Sequence, residues 1–237
     1  MTLDIRVVKG IRFGWPHAAG QARADGPMDT TPSRFRVAGA AADRALRPDF
    51  AEAYRMLALQ VQQRATTQQL QTLLVMSAYG GDGRTTVAAN LGVALTELGL
   101  RVVLVESDTR RPALAGLFPE MADTQAASSD DRMGPMGLVP ISEADLVVWR
   151  PQTLQVCPPR PSEVKAVIDA ARSAVDIVIL DSPPCLRYAD AFSVAPLVDG
   201  VIFVIRRRAQ SVDAQRTVQE QLGQLGAKVL GVVYNEV

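Results

Sequence analysis

The stretch Leu73-Leu74-Val75-Met76-Ser77-Ala78-Tyr79-Gly80-Gly81-Asp82-Gly83-Arg84-Thr85-Thr86-Val87 decides the fold. It opens on an unbroken apolar run that reads as a buried strand. It ends by starting a helix, because Val87, Leu91, Leu95 and Leu98 recur on one helical face, closed by Gly99. Between the two lies a glycine-rich turn whose backbone N–H groups, together with the helix N-terminus, favour an anion. Phosphate is the natural guest. Gly80, Gly81 and Gly83 let the backbone approach its oxygens, and a hydroxyl at the helix start, here Thr85 followed by Thr86, can bind magnesium. Arg84 stands where the phosphate-loop pattern expects lysine, and Ala78 replaces that pattern's first glycine.

Outward from the loop, strand and helix signals alternate. Val102 to Val105, Ile177 to Leu180, Val201 to Ile205 and Val229 to Val233 are further continuous apolar runs. Helical stretches separate them, one opened by Ser162 after Pro161 and another by Ser211, each polar residue placed to cap free backbone N–H groups. Unbroken Val/Ile/Leu strands separated by helices predict an α/β domain with a mainly parallel sheet and helices on both faces. Ahead of the first strand, Phe50, Tyr54, Leu57 and Val61 form one apolar stripe, which predicts an amphipathic helix after Pro48. Residues 1–47 show no sustained period and are expected to be a poorly ordered arm, with 48–237 as the nucleotide-binding domain. Phe13 and Trp15 interrupt the arm and either dock on a partner or fold back on the domain. Pro119 to Asp145 is the least regular part of the domain and reads as a mobile loop.

A chain of 237 residues that is 48% hydrophobic can bury a full core. Its 25 basic and 25 acidic residues balance, which argues against a global field for nucleic acid or anionic lipid. Cys157 and Cys185 lack metal-ligand or CxxC spacing and suit a reducing compartment. With no signal-peptide core and no apolar run of roughly 20 residues, the expected location is the cytoplasm, without direct membrane insertion.

The loop has rivals. Gly81, Gly83 and Glu106 imitate a dinucleotide fingerprint, although Thr86 stands where its third glycine belongs, and a bare strand-to-helix turn needs no ligand at all. Carboxylates at neighbouring strand ends favour the nucleotide, since phosphoryl chemistry needs acids that position a metal. Asp181 ends one apolar run ahead of Ser182-Pro183-Pro184, and Glu106 and Asp108 follow another.

These segments resemble the cytoplasmic domain of bacterial tyrosine kinases, the P-loop family that regulates capsule and exopolysaccharide assembly. The similarity runs from about Phe50 to the end of the chain. It is carried by Glu52-Ala53-Tyr54-Arg55, the loop around Gly81 to Thr86, Glu106-Ser107-Asp108-Thr109-Arg110-Arg111-Pro112, the Pro158 to Glu163 turn, Asp181-Ser182-Pro183-Pro184, and Gly226 to Asn235. The resemblance implies ATP and Mg2+ as cofactors, with Gly80 to Thr86 around the phosphates and Arg84 among the catalytic groups. It implies Thr85, Asp108 and Asp181 at the metal, Glu106 as the base that accepts a tyrosine proton (with Asp108 beside it), and Asn235 near the purine or as a plain strand-end cap. Arg110 meets phosphate, a loop carboxylate or only solvent. The implied partner is a membrane polysaccharide co-polymerase or chain-length regulator that recruits the protein to the inner membrane; Glu52 and Arg55 imply a homo-oligomer.

The chain also departs from that family. Arg84 replaces a lysine, and a planar guanidinium is no substitute for a compact ammonium, so binding is expected to survive better than turnover. Glu106 replaces aspartate and displaces the carboxylate by about one bond length, on a scale where roughly 1 Å can cost on the order of 100-fold in rate. Ala58 takes the last place of the ring-forming helix motif, and Asn235-Glu236-Val237 stands where a tyrosine-rich tail is common. Attenuated phosphoryl transfer and a non-catalytic, nucleotide-dependent binding module are therefore both open, with a MinD/ParA-like positioning ATPase behind them. That class carries a signature lysine where Tyr79 stands.

Overall fold

A strand covered on both faces must be apolar at successive positions, and its alternate residues must feed separate cores. In a computed structural model that describes residues 4–8, 11–15, 48–118, 138–141, 146–149, 159–206 and 212–235, the central strands do this. They are β3 (Thr72–Ser77), β4 (Val102–Glu106), β7 (Ile177–Asp181), β8 (Gly200–Arg206) and β9 (Val229–Asn235). Leu73, Val75, Leu104, Ile179 and Val204 pack into one core with helices α1 (Pro48–Gln68) and α2 (Arg84–Glu97). Leu74, Met76, Val103, Leu180 and Phe203 pack into the other, with α4 (Pro161–Arg172), α5 (Asp190–Val194) and α6 (Val212–Gln224). Each fully buried side chain of this size contributes on the order of 2 kcal/mol, so a polar substitution at any of these strand positions strikes a core. A four-residue helix, α3 (Leu114–Leu117), follows the β4 loop.

Together with β1 (Asp4–Val8), β2 (Ile11–Trp15), β5 (Leu138–Ile141) and β6 (Leu146–Trp149), these strands form a nine-stranded sheet in the order β1-β2-β9-β8-β3-β7-β4-β6-β5. The run from β9 to β6 is parallel throughout. From β3 the chain passes through α2 to β4 on one side, whereas β8 and β9 lie on the other, so the loop after β3 sits at the switch in strand order where open α/β sheets bind ligands. Register sets Glu106 opposite Asp181, and Asp181 opposite Val75, at that same end of the sheet.

The expected strands, the helix after Pro48 and the helix after the loop are all present. Several expectations need correction. Residues 4–15, expected in a poorly ordered arm, hold β1 and β2, which pair antiparallel and extend the sheet beyond β9. Phe13 lies opposite Val233, so this part of the arm folds back on the domain. The strict apolar alternation in Ile11-Arg12-Phe13-Gly14-Trp15 is the signal for a strand there. Residues 16–47 lie outside the described residues. Within the expected loop, 138–141 form β5, antiparallel to β6; 119–137 and 142–145 lie outside the described residues. Runs of four residues are too short to announce themselves, and Pro140 speaks against a strand; it is tolerated because β5 is an edge. Ser162 is not a cap: α4 starts at Pro161, and Glu163 accepts the Arg160 N–H at 2.8 Å. Ser211 lies outside the described residues.

Among the described residues, no helix is long and apolar enough to cross a membrane. On α1, Arg55 lies 3.5 Å from Glu52 and 3.5 Å from Glu97 of the same chain.

Candidate nucleotide site

The loop between β3 and α2 is shaped by two left-handed glycines, Gly81 at φ +84° and Gly83 at φ +92°. At Gly83 a Cβ would come within 2.1 Å of the Asn235 amide nitrogen, so the position excludes side chains on two counts. Asn235 uses that nitrogen to donate to the Asp82 carbonyl at 2.9 Å. That contact joins the end of β9 to the loop. Asp82 is buried and accepts the Tyr79 N–H at 3.0 Å, closing the loop on itself. Gly80 and Gly81 are exposed, and a Cβ on either would meet nothing within 4 Å, so the outer face of the loop is open. Thr85 and Thr86, both half-buried, sit in the first turn of α2.

Three buried charged side chains meet beneath this loop, Arg84, Asp108 and Asp181, and Glu106 is buried at the end of β4. The Arg84 guanidinium donates to Ser77 Oγ at 2.9 Å and reaches the Tyr79 carbonyl at 3.4 Å. It lies 3.6 Å from Asp108 Oδ2 and 3.8 Å from Asp181 Oδ1. Thr85 donates its hydroxyl to Asp181 Oδ2 at 2.7 Å, whereas Asp181 Oδ1 is buried without a hydrogen-bond partner. Burial pushes the Asp181 carboxyl up to about 6; Arg84 and the Thr85 hydroxyl pull it down, and the Asp108 charge adds to the rise. Asp108 also accepts the Arg111 N–H at 3.3 Å. Glu106 Oε2 accepts the N–H groups of Ala113 at 2.8 Å and Leu114 at 2.7 Å, which fixes the start of α3.

A hydroxyl and a carboxylate held 2.7 Å apart, with a further buried oxygen unpartnered, are hard donors. Magnesium takes such donors one or two at a time, completing its shell with water and phosphate oxygens. Thr85, Asp181 and Asp108 therefore fit the ion that the sequence implies.

Sequence reasoning passed over residues that hold the site together. Ser107 donates to the Asp181 carbonyl at 2.6 Å, and Ser182 to the Val75 carbonyl at 2.9 Å, tying the ends of β4, β7 and β3. The available signal was a small hydroxyl directly after each apolar strand, next to the acid. Cys185 follows; its N–H donates to the Ser77 carbonyl at 3.0 Å, and burial pushes its thiol up to about 12. Arg110 meets a carboxylate, that of Asp190 in the first turn of α5 and not one in a loop, while its guanidinium lies 4.3 Å over the Tyr188 ring.

Residues 68–236 match the model of the ParA family, described as NUBPL iron-transfer P-loop NTPase. Tyrosine-protein kinase YwqD of Bacillus subtilis is 26% identical over 205 residues, covering 78% of this chain and 80% of YwqD. Succinoglycan biosynthesis transport protein ExoP of Rhizobium meliloti is 26% identical over 246 residues, taking in 99% of this chain but 31% of ExoP. Among solved structures, the chimerical protein CapA2B2 superposes with a TM-score of 0.66 at 25% identity, covering 82% of this chain and 88% of that one. The likeness to bacterial tyrosine kinases thus holds in sequence and in fold.

Proposed function

Because this chain belongs to the ParA family of P-loop NTPases, we propose that it binds ATP with magnesium in the loop from Ser77 to Thr86 and acts as a tyrosine-kinase-like regulator of surface-polysaccharide synthesis and export. The observation that carries it is the Thr85–Asp181 contact at 2.7 Å beneath a loop with two left-handed glycines. Backbone amides of Gly80 to Gly83 and the N-terminus of α2 bind the phosphates. Thr85 and Asp181, with Asp108, hold the metal, which when bound supplies the charge that neutralises the phosphate oxygens. Arg84 reaches a phosphate by leaving Ser77 and the two aspartates. Glu106 accepts the tyrosine proton if its carboxylate is freed from the amides that start α3. The kinase likeness is supported by YwqD, named a tyrosine-protein kinase, and the polysaccharide role by ExoP, named a succinoglycan biosynthesis transport protein; a membrane co-polymerase is the proposed partner, with Glu52 and Arg55 offering an oligomer contact.

A second reading is favoured by the same side chains. Arg84 is engaged by its own loop, and Glu106 by Ala113 and Leu114, so both of the most chemical positions are occupied structurally. On that reading the protein binds nucleotide and signals its bound state to the partner without transferring phosphate. Labelled ATP, magnesium and the cytoplasmic segment of a co-polymerase separate the two. Label on tyrosine supports the kinase; nucleotide-dependent association without label supports the binding module; neither label nor association removes both.

A further inference from the structure

Resting on the nucleotide-site reading above, we propose that Arg84 is the resident cation of the metal site, holding Asp108 and Asp181 in the place of a divalent ion so that metal binds appreciably only when a nucleotide phosphate draws the guanidinium away.

The argument starts from burial. The side chains of Arg84, Asp108 and Asp181 are 8%, 7% and 1% exposed, and charges so far from water need compensation. Arg84 supplies it, yet poorly. Its separations from the two carboxylates, 3.6 and 3.8 Å, exceed good hydrogen-bond lengths, and both Arg84 Nε and Asp181 Oδ1 are buried without a hydrogen-bond partner. Among the described residues, the hydrogen bonds its guanidinium makes go to Ser77 Oγ and the Tyr79 carbonyl, which are loop groups rather than the acids. The guanidinium therefore acts on the aspartates as a charge, not as a fork that fits them.

A single positive charge facing two carboxylates leaves an excess negative charge in a dry pocket. A divalent ion suits that pair better, but with Arg84 in place it must enter against a positive neighbour. Phosphate resolves the conflict, because a guanidinium binds its oxygens through two hydrogen bonds while the aspartates are released to the metal. Metal and nucleotide are then coupled through one side chain that has two places to go, and such coupling must be reciprocal.

The test titrates Mn2+, as a magnesium surrogate, into the full chain without nucleotide, read by calorimetry and by the paramagnetic signal of the free ion. Arg84→Met keeps an unbranched stem and removes the charge. It should bind Mn2+ at least about tenfold more tightly than the parent, within the range of about 5–150-fold common for coupled sites. Arg84→Lys, which keeps the charge, should stay within a few-fold of the parent. Millimolar guanidinium ion should weaken Mn2+ binding by Arg84→Met and leave the parent unchanged. If Arg84→Met does not fold, Arg84→Gln, neutral but polar, carries the same expectation. Metal affinity equal in the neutral variant and the parent overturns the inference. A parallel titration of the parent with ATP and magnesium keeps the two readings apart: heat there, with no gain in the neutral variant, overturns only the role of Arg84, whereas no heat removes the nucleotide site itself.

Discussion

The two ends of the sheet solve the problem of charge in opposite ways. At the carboxyl ends of β3, β4 and β7, Arg84, Asp108 and Asp181 are buried and imperfectly matched, with separations of 3.6 and 3.8 Å and unpartnered polar atoms on both sides. At the amino ends, charges stand closer to water and the carboxylates are well matched, although Arg172 Nε is buried without a hydrogen-bond partner among the described residues. Asp199 accepts the N–H groups of Gln71 at 2.9 Å and Thr72 at 2.7 Å, the Thr72 hydroxyl at 2.8 Å and the Arg172 guanidinium at 2.5 Å. Asp176 likewise takes the Arg101 backbone N–H and guanidinium, and these hydrogen bonds hold its carboxyl below the usual range. Polar groups left incomplete in a dry site stand ready for a ligand to complete; groups completed near water staple the fold. The two ends differ most in their carboxylates: Asp199 is fully hydrogen-bonded, whereas Asp181 keeps a buried oxygen without a hydrogen-bond partner among the described residues.

Asp181→Asn should break the comparison most severely. It removes a charged metal ligand while keeping size and the contact to Thr85. Affinity for ATP with magnesium, read by calorimetry, should fall by roughly 100-fold or more, as expected for an effect near 3 kcal/mol. Unchanged affinity would remove Asp181 from the site. The parent should also lose magnesium-dependent affinity as pH falls through about 6, because burial raises the Asp181 carboxyl to that value and a protonated acid is a poor ligand.

Asn235→Ala should have a smaller effect at the same end. It deletes the amide that donates to the Asp82 carbonyl at 2.9 Å and packs under Gly83. One hydrogen bond of about 1 kcal/mol corresponds to a loss of roughly fivefold in nucleotide affinity. A purine contact predicts something different: discrimination between ATP and GTP should change in the variant. If affinities for both nucleotides fall together, Asn235 is a prop; if only one falls, it reads the base.

Much of the fold and part of the site were legible in the sequence, for identifiable reasons. The parallel strands announced themselves because burial on both faces leaves unbroken apolar runs such as Ile177 to Leu180. The glycines at 81 and 83 and the acid at the end of β7 were legible because backbone shape and ligand chemistry constrain residue type. The hairpin of β1 and β2 was not, since it borrows its stability from pairing with β9, far along the chain. Nor could the sequence say what Arg84 and Glu106 touch. That depends on which partner each long side chain finds, Ser77 for one and the α3 amides for the other, among several within reach. The serines at 107 and 182 were overlooked for a related reason: a hydroxyl beside an acid looks like loop polarity until the strand ends it ties are known.

The amino end yields the smallest effect and the sharpest contrast. Burial alone would raise the Asp199 carboxyl, but hydrogen bonds from Arg172, the Gln71 N–H and Thr72 outweigh it and hold the group at about 2, against an ordinary 3.8. The folded state therefore binds the proton less readily than the unfolded chain. The resulting stability is present above about pH 4 and is lost as pH falls toward 2. Asp199→Asn should cost about 1 kcal/mol at neutral pH, the value of charged hydrogen bonds discounted for partial exposure. Nucleotide affinity should stay at the parent's level. In urea unfolding, the gap between parent and variant should hold steady from pH 8 to 5 and close between pH 4 and 2. A gap that stays constant down to pH 2 would mean that the Asp199 charge stabilises nothing, and the amino end would then be held by Thr72 and Gln71 alone.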